Sequence, residues 1–186
     1  MNVTVYCSAR RRAVEDYGSE VEKIGKYLGE AGHKLVYGGV DFGLMRVIAK
    51  ATKEAGGEVL GVLPERRRQD ECDFNDVTLH VPGLTERKEQ MIQMADCFLV
   101  LPGGYGTLDE FFSSYAVLNF NYDKRRKIVV MNIDGIYDPI FALLRNMCDK
   151  GLFDPKHLSR IIAVTTADEC IEALKSLTIS YENEKE

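Results

Sequence analysis

The chain has 186 residues, 45% of them hydrophobic and 28% charged, which is enough for one sizeable buried core and too little for two ordinary domains. With 24 Lys and Arg against 29 Asp and Glu the net charge is −5, so no positive excess is available to neutralise a polyphosphate backbone, and nucleic acid is not expected as a partner. No run of 18 apolar residues occurs and the N-terminal MNVTVYCSARRR has no leader-like apolar stretch, so no membrane association is expected, and a soluble, cytoplasmic protein is.

Residues 2–7 (NVTVYC) read as a short strand, and residues 13–31 as a helix with Val21, Ile24, Tyr27 and Leu28 on one face. The cycle repeats with KLVY (34–37), which ends in Gly38-Gly39, and a helix over 44–55 with Met45, Ile48, Ala49 and Thr52 on one face. A strand over 58–63 (EVLGVL) is stopped by Pro64 and followed by a polar loop over 65–75. Further expected elements are a strand 77–81, a helix 85–94, a strand 97–101, a helix after Gly106 and a strand 127–132. A helix 137–147, a strand 161–164 and a helix 167–177 complete the series. FLVL (98–101) and IVVM (128–131) are continuously apolar, as in parallel strands covered on both faces. The fold class is therefore α/β, a single doubly wound, Rossmann-like parallel sheet with helices on both faces. It is expected to occupy residues 1–180 as one nucleotide-binding domain, with residues 181–186 (YENEKE) a frayed tail.

Ligands in such sheets bind beyond the carboxyl ends of the strands. Three loops sit there: residues 8–10, 38–43 and 102–107. The last belongs to PGGYGTLDE (102–110), whose glycines allow tight turns and whose free N–H groups open a helix, a site for a phosphate-sized anion. Thr107 can add a hydroxyl donor. Neither a Walker lysine nor GxGxxG spacing is present, and such glycine loops also serve purely structural ends. Asp109 and Glu110 fall in the first turn of the expected helix; they could cap it, or face the sugar to which a bound phosphate belongs. Glu86-Arg87-Lys88 opens another helix, either as a solvated charge cluster or, if the loops converge, with Arg87 as a fork for phosphate or ribose oxygens.

At these residues the sequence resembles the LOG ("Lonely guy") family of cytokinin riboside 5′-monophosphate phosphoribohydrolases, also labelled lysine decarboxylases. The resemblance runs from about Val3 to Leu177. It is most specific in PGGYGTLDE, matching PGGxGTxxE, and in ERKEQM (86–91), with Arg87 and Glu110 23 residues apart. VYGGVDFGLM (36–45), GVLP (61–64) and NIDGIYDP (132–139) support it. The resemblance implies metal-free hydrolysis of the N-glycosidic bond of a purine nucleoside 5′-monophosphate, AMP or an N6-prenylated relative, to free base and ribose 5-phosphate. It implies Arg87 and Glu110 as the catalytic pair, Gly104, Tyr105, Gly106 and Thr107 as the phosphate holders, Lys88 as an assisting charge, and Ser8, Gly38 and Gly39 as cleft-lining residues. It also implies a homodimer.

The chain departs from the family where a Thr-Trp pair is replaced by Ala116 and Val117, where Arg46 stands in place of a Gly, and in the long, basic 121–127 (NYDKRRK). Pyridoxal phosphate chemistry needs a Schiff-base lysine, and none is placed for it, so no cofactor is expected. The contrasting function is a carrier of a phosphorylated nucleotide or pterin, since related proteins on this fold bind such a cofactor without cleaving it. Arg66-Arg67-Arg68 reads as a solvated run or a lid over a phosphate. His33, His80 and His157 lack metal-ligand spacing, so no metal is expected. Cys7, Cys72, Cys97, Cys148 and Cys170, an odd number without CxxC spacing, are expected as free, buried thiols.

Overall fold

The computed structural model describes residues 1–121 and 125–183. Its strands are β1 (Asn2–Tyr6), β2 (Lys34–Tyr37), β3 (Glu58–Pro64), β4 (Val77–Val81), β5 (Cys97–Val100), β6 (Ile128–Met131) and β7 (Ile161–Val164). The α-helices are α1 (Arg11–Glu30), α2 (Gly43–Glu54), α3 (Leu84–Met94), α4 (Tyr105–Phe120), α5 (Asp138–Asp149) and α6 (Ala167–Asn183). All seven strands form one sheet in the order β4-β3-β2-β1-β5-β6-β7, every pair parallel, as the alternating pattern of the sequence predicts. The chain starts at the centre, winds out to β4, then returns to place β5 against β1, with Val3 beside Cys97 and Tyr6 beside Val100. That reversal opens a crevice at the carboxyl ends of β1 and β5, where the two following loops diverge to opposite faces.

Alternation along each central strand feeds two cores. Val3, Val5, Cys97 and Leu99 pack with Ile24 and Leu28 of α1, Ile48 of α2 and Leu174 of α6. Tyr6, Phe98 and Val100 point the other way, against Met91 of α3, Phe111 and Leu118 of α4, and Leu144 of α5. Because both faces are covered, FLVL needs no polar positions. Each such side chain contributes about 1.5–3 kcal/mol of transfer free energy on burial.

Several boundaries differ from the sequence reading. The 65–75 loop contains a 3₁₀ helix, Glu65–Asp70, and β3 takes in Pro64, which pairs with Val81 at the strand's end. The last helix continues to Asn183, so residues 181–183 of the expected tail are helical while 184–186 lie outside the described residues. So do residues 122–124 of the basic segment. α4 begins at Tyr105, not after Gly106, because Gly104 takes the extended N-cap conformation (φ −95°, ψ −153°). Asp109 and Glu110 consequently sit in the second turn, which removes the helix-capping role for either.

Candidate functional site

The crevice is stitched together by its loops. Ser8 N–H donates to Pro102 O at 3.1 Å, and Leu44 N–H donates to Ser8 O at 2.9 Å, which ties the ends of β1 and β5 to the start of α2. Gly43 must be glycine for this: its φ is +56°, and a Cβ there would lie 2.4 Å from Ala9 C. The Tyr137 hydroxyl fastens the end of β5 by donating to Leu101 O at 2.7 Å.

Beyond β5, Thr107 turns inward, buried, with its hydroxyl packed on Gly103. Gly104 and Gly106 border open space, Tyr105 is 87% exposed, and no side chain caps α4. The first-turn N–H groups of α4 are thus presented to the crevice with the positive end of the helix dipole behind them. Thr107 supplies backbone to this turn; its side chain belongs to the packing beneath.

Arg87 and Glu110 meet in the same crevice. Arg87, in the first turn of α3, donates Nε–H to Val62 O at the end of β3 (2.9 Å) and Nη1–H to Glu110 Oε1 (2.5 Å). Their side chains are only 10% and 6% exposed. Gly38 makes the reach possible, since a Cβ there would stand 2.1 Å from Arg87 Nη2 and 2.9 Å from Met45 Sδ. Burial pushes the Glu110 carboxyl above its ordinary range, and the charge and hydrogen bond of Arg87 pull against that rise. Glu110 Oε2 and Arg87 Nη2 have no hydrogen-bond partner among the described residues, yet neither is among the atoms fully cut off from solvent. The pair therefore keeps one acceptor and one cationic donor in reserve.

The other expected site residues take varied places. Lys88 is held by Asp109 Oδ1 (2.8 Å) and Ser113 Oγ (3.2 Å), so it bridges α3 to α4 beside the pair. Ser8 Oγ accepts from Arg10 N–H at 3.1 Å within the β1 loop. Gly39 packs against Gly61 of β3 and offers its carbonyl to Cys72 N–H, which makes it a fastener of the cleft wall. Arg46 is ion-paired with Asp41 and lies 5.1 Å above the Phe74 ring. Val117 lines a separate cavity of about 560 Å³, with Met1, Asp96 and Lys127, at the amino-terminal end of the strands, far from the pair. Arg67 and Arg68 are paired with Asp70 and Glu65 inside the 3₁₀ helix, the solvated arrangement rather than a lid. Met45, read from the sequence as a core position of its helix, is half-buried beside Arg87; the GLM that follows the glycine pair was the available signal. Tyr6 and Ser114, also part of the site's support, had no such signal.

The five cysteines are free; Cys7, Cys72, Cys97 and Cys170 are buried as expected, whereas Cys148, near the end of α5, is only half-buried. Among the described residues no group of three His, Cys, Asp or Glu could hold a metal ion, and no helix is long and apolar enough to cross a membrane.

A central crevice with a buried acid–arginine pair beside an uncapped helix start sets the candidate site in a Rossmann-like α/β protein. The family model described as "Possible lysine decarboxylase" matches residues 45–174, and the chain belongs to that family, the LOG family. It is 33% identical over 184 residues to the cytokinin riboside 5′-monophosphate phosphoribohydrolase LOG of Oryza sativa subsp. japonica, covering 97% of this chain and 75% of the rice protein. It is also 33% identical over 180 residues to the enzyme of that name from Rhodococcoides fascians, covering 94% and 89%. Among solved structures, the molybdenum cofactor carrier protein of Chlamydomonas reinhardtii superposes with a TM-score of 0.75 at 19% identity, over 96% of this chain and 98% of that one. The molybdenum cofactor binding protein of Rippkaea orientalis gives 0.72 at 20%, over 95% of each. These two share the fold.

Decarboxylation through pyridoxal phosphate does not fit the residues present. The lysine nearest the pair, Lys88, is tied to Asp109 and Ser113, and the buried cation is an arginine, which forms no Schiff base.

Gly38→Ala tests the packing of the pair. Displacing the guanidinium leaves the Glu110 charge buried alone, and urea unfolding at pH 7 should show a loss of about 3 kcal/mol. The loss should shrink as pH falls, because the folded state then takes up a proton at Glu110 that the unfolded state releases more readily. An unchanged, pH-independent stability would contradict this geometry.

Proposed function

We propose that this protein hydrolyses the N-glycosidic bond of a purine nucleoside 5′-monophosphate, AMP or an N6-prenylated adenosine monophosphate. The observation that carries the reading is the buried Arg87–Glu110 pair set within the same crevice as the open α4 N-terminus. The names of the rice and Rhodococcoides relatives support the class of reaction.

In this mechanism the N–H groups at the start of α4, from Gly104 to Thr107, hold the 5′-phosphate and thereby place the ribose over the second turn. The C1′–N9 bond breaks with its electron pair leaving on the purine, a ring nitrogen of which takes up one proton from solvent, so that the neutral base departs. Positive charge develops at C1′, and Glu110, through its unpaired Oε2, stabilises that charge and orients the incoming water. The water hydroxyl joins C1′ and its proton passes to Glu110 and on to solvent, leaving ribose 5-phosphate. Arg87 keeps Glu110 ionised despite its burial and offers Nη2 to a ribose or phosphate oxygen. Lys88 neutralises Asp109, which would otherwise oppose ionisation of its neighbour.

A second reading has its own support: two of the solved structures of similar fold are a molybdenum cofactor carrier protein and a molybdenum cofactor binding protein. A non-catalytic carrier would bind a phosphorylated nucleotide or pterin through the same crevice and release no base.

Glu110→Gln should bind AMP with affinity near that of the wild type by calorimetry while base release falls at least about 100-fold. Retention of near wild-type turnover would remove Glu110 from the chemistry. Adenosine, lacking the phosphate that α4 holds, should be cleaved far more slowly than AMP, and equal rates would refute the anchoring role. The pH profile carries a sign as well. Glu110 must be ionised and its carboxyl is raised by burial, so activity should climb with pH along a limb lying above that of an ordinary glutamate. A limb at or below the ordinary range would contradict the assignment.

A further inference from the structure

Beneath the ion pair runs a second polar chain that the reaction itself does not touch. Tyr6 ends β1, 1% exposed, with its ring stacked on Phe98 of β5 at a centroid distance of 6.1 Å. Its hydroxyl lies 2.8 Å from Oγ of Ser114, a residue with no exposed surface. Ser114 stands one turn beyond Glu110 in α4 and donates from Oγ to the Glu110 carbonyl oxygen at 2.9 Å. A serine hydroxyl has one hydrogen, and the carbonyl can only accept, so the Tyr6 phenol must be the donor to Ser114. The chain runs Tyr6 O–H to Ser114 O–H to Glu110 C=O.

Two hydroxyls in a core of Phe98, Val100, Phe111 and Leu118 are a costly way to fill space, since a phenylalanine and an alanine would pack there with nothing to desolvate. A serine bonding back to the carbonyl four residues earlier also brings a helix little stability. What the chain does supply is a fixed height and rotation of the second turn of α4 against β1. Arg87 has its own anchor, the Val62 carbonyl of β3. The two charges are therefore referenced to two different strands, and their separation is set only when both anchors hold.

We propose that Tyr6 and Ser114 are positioning residues that fix the Glu110 carboxylate against Arg87 and against the sugar. This rests on the role given to Glu110 above, and its test is separable from that role.

Tyr6→Phe and Ser114→Ala are compared with wild type in turnover of AMP, melting temperature, and the titration of the Glu110 carboxyl followed by carbon NMR with Glu110→Gln identifying the signal. Tyr6→Phe should melt within about 5 °C of wild type, as expected for one lost hydrogen bond in a chain of this size, and Ser114→Ala, which removes both bonds of the chain and leaves the buried Tyr6 hydroxyl without its partner, within about 10 °C. Each should show kcat lowered about tenfold with KM within about twofold, because misplacement of the carboxylate harms the transition state more than phosphate binding. In both, the Glu110 titration and the acid limb of the pH profile should move to higher pH, since a loosened contact with Arg87 leaves burial less opposed. The double variant should be no slower than Ser114→Ala alone. An unmoved Glu110 titration, or turnover that falls only in proportion to lost folded protein, would overturn the proposal. If wild type cleaves no nucleotide, the hydrolase reading fails, and the Glu110 titration alone still decides the positioning role. Should Tyr6→Phe not fold, Ser114→Ala provides the same readouts.

Discussion

Two opposite charges, 2.5 Å apart and almost wholly withdrawn from water, are the constraint around which the carboxyl-terminal end of the sheet is organised. Burying a carboxylate and a guanidinium costs several kcal/mol each, recovered only when geometry and further hydrogen bonds are right. The surroundings meet that condition piece by piece. Val62 accepts from Arg87 Nε, Gly38 leaves the volume the guanidinium occupies, and the Tyr6–Ser114 chain holds the turn that carries Glu110. These supports come from β1, β2, β3, α3 and α4, so the pair exists only where the doubly wound topology brings those ends together.

The same constraint is the ground on which a reactive site is proposed here. An isolated buried glutamate would take up a proton, and an exposed one would be too well solvated to stabilise a passing cation at a sugar carbon. Pairing with Arg87 through one oxygen opposes the rise that burial imposes on the carboxyl and leaves the other oxygen poorly solvated beside the open helix start. A nucleotide carrier would need the helix start but has no evident use for such a carboxylate. That is the physical ground for favouring hydrolysis over carriage, even though the carriers match the fold well.

Much of this was legible in the sequence, for local reasons. FLVL and IVVM announce strands covered on both faces, and all seven expected strands are present in one parallel sheet. PGGYGTLDE marks its own strand end, turn and helix, and Arg87 with Glu110 could be matched to a family pattern. What escaped is what depends on distance or on backbone detail. Tyr6 and Ser114 are separated by 108 residues, and a lone serine on an apolar helix leaves no periodic trace of its partner. The start of α4 at Tyr105 follows from the conformation of Gly104, and sets Asp109 and Glu110 two residues deeper, past the first turn. Gly38 and Gly39 look equivalent in sequence, yet one makes room for the buried guanidinium of Arg87 and the other fastens β2 to β3.

The most direct measurement is incubation of the purified protein with AMP, N6-isopentenyladenosine monophosphate, GMP and CMP, with free base and ribose 5-phosphate quantified by chromatography. The account predicts equimolar base and ribose 5-phosphate from at least one of the adenine nucleotides and none from CMP. Binding of these nucleotides with no base released from any of them would contradict it.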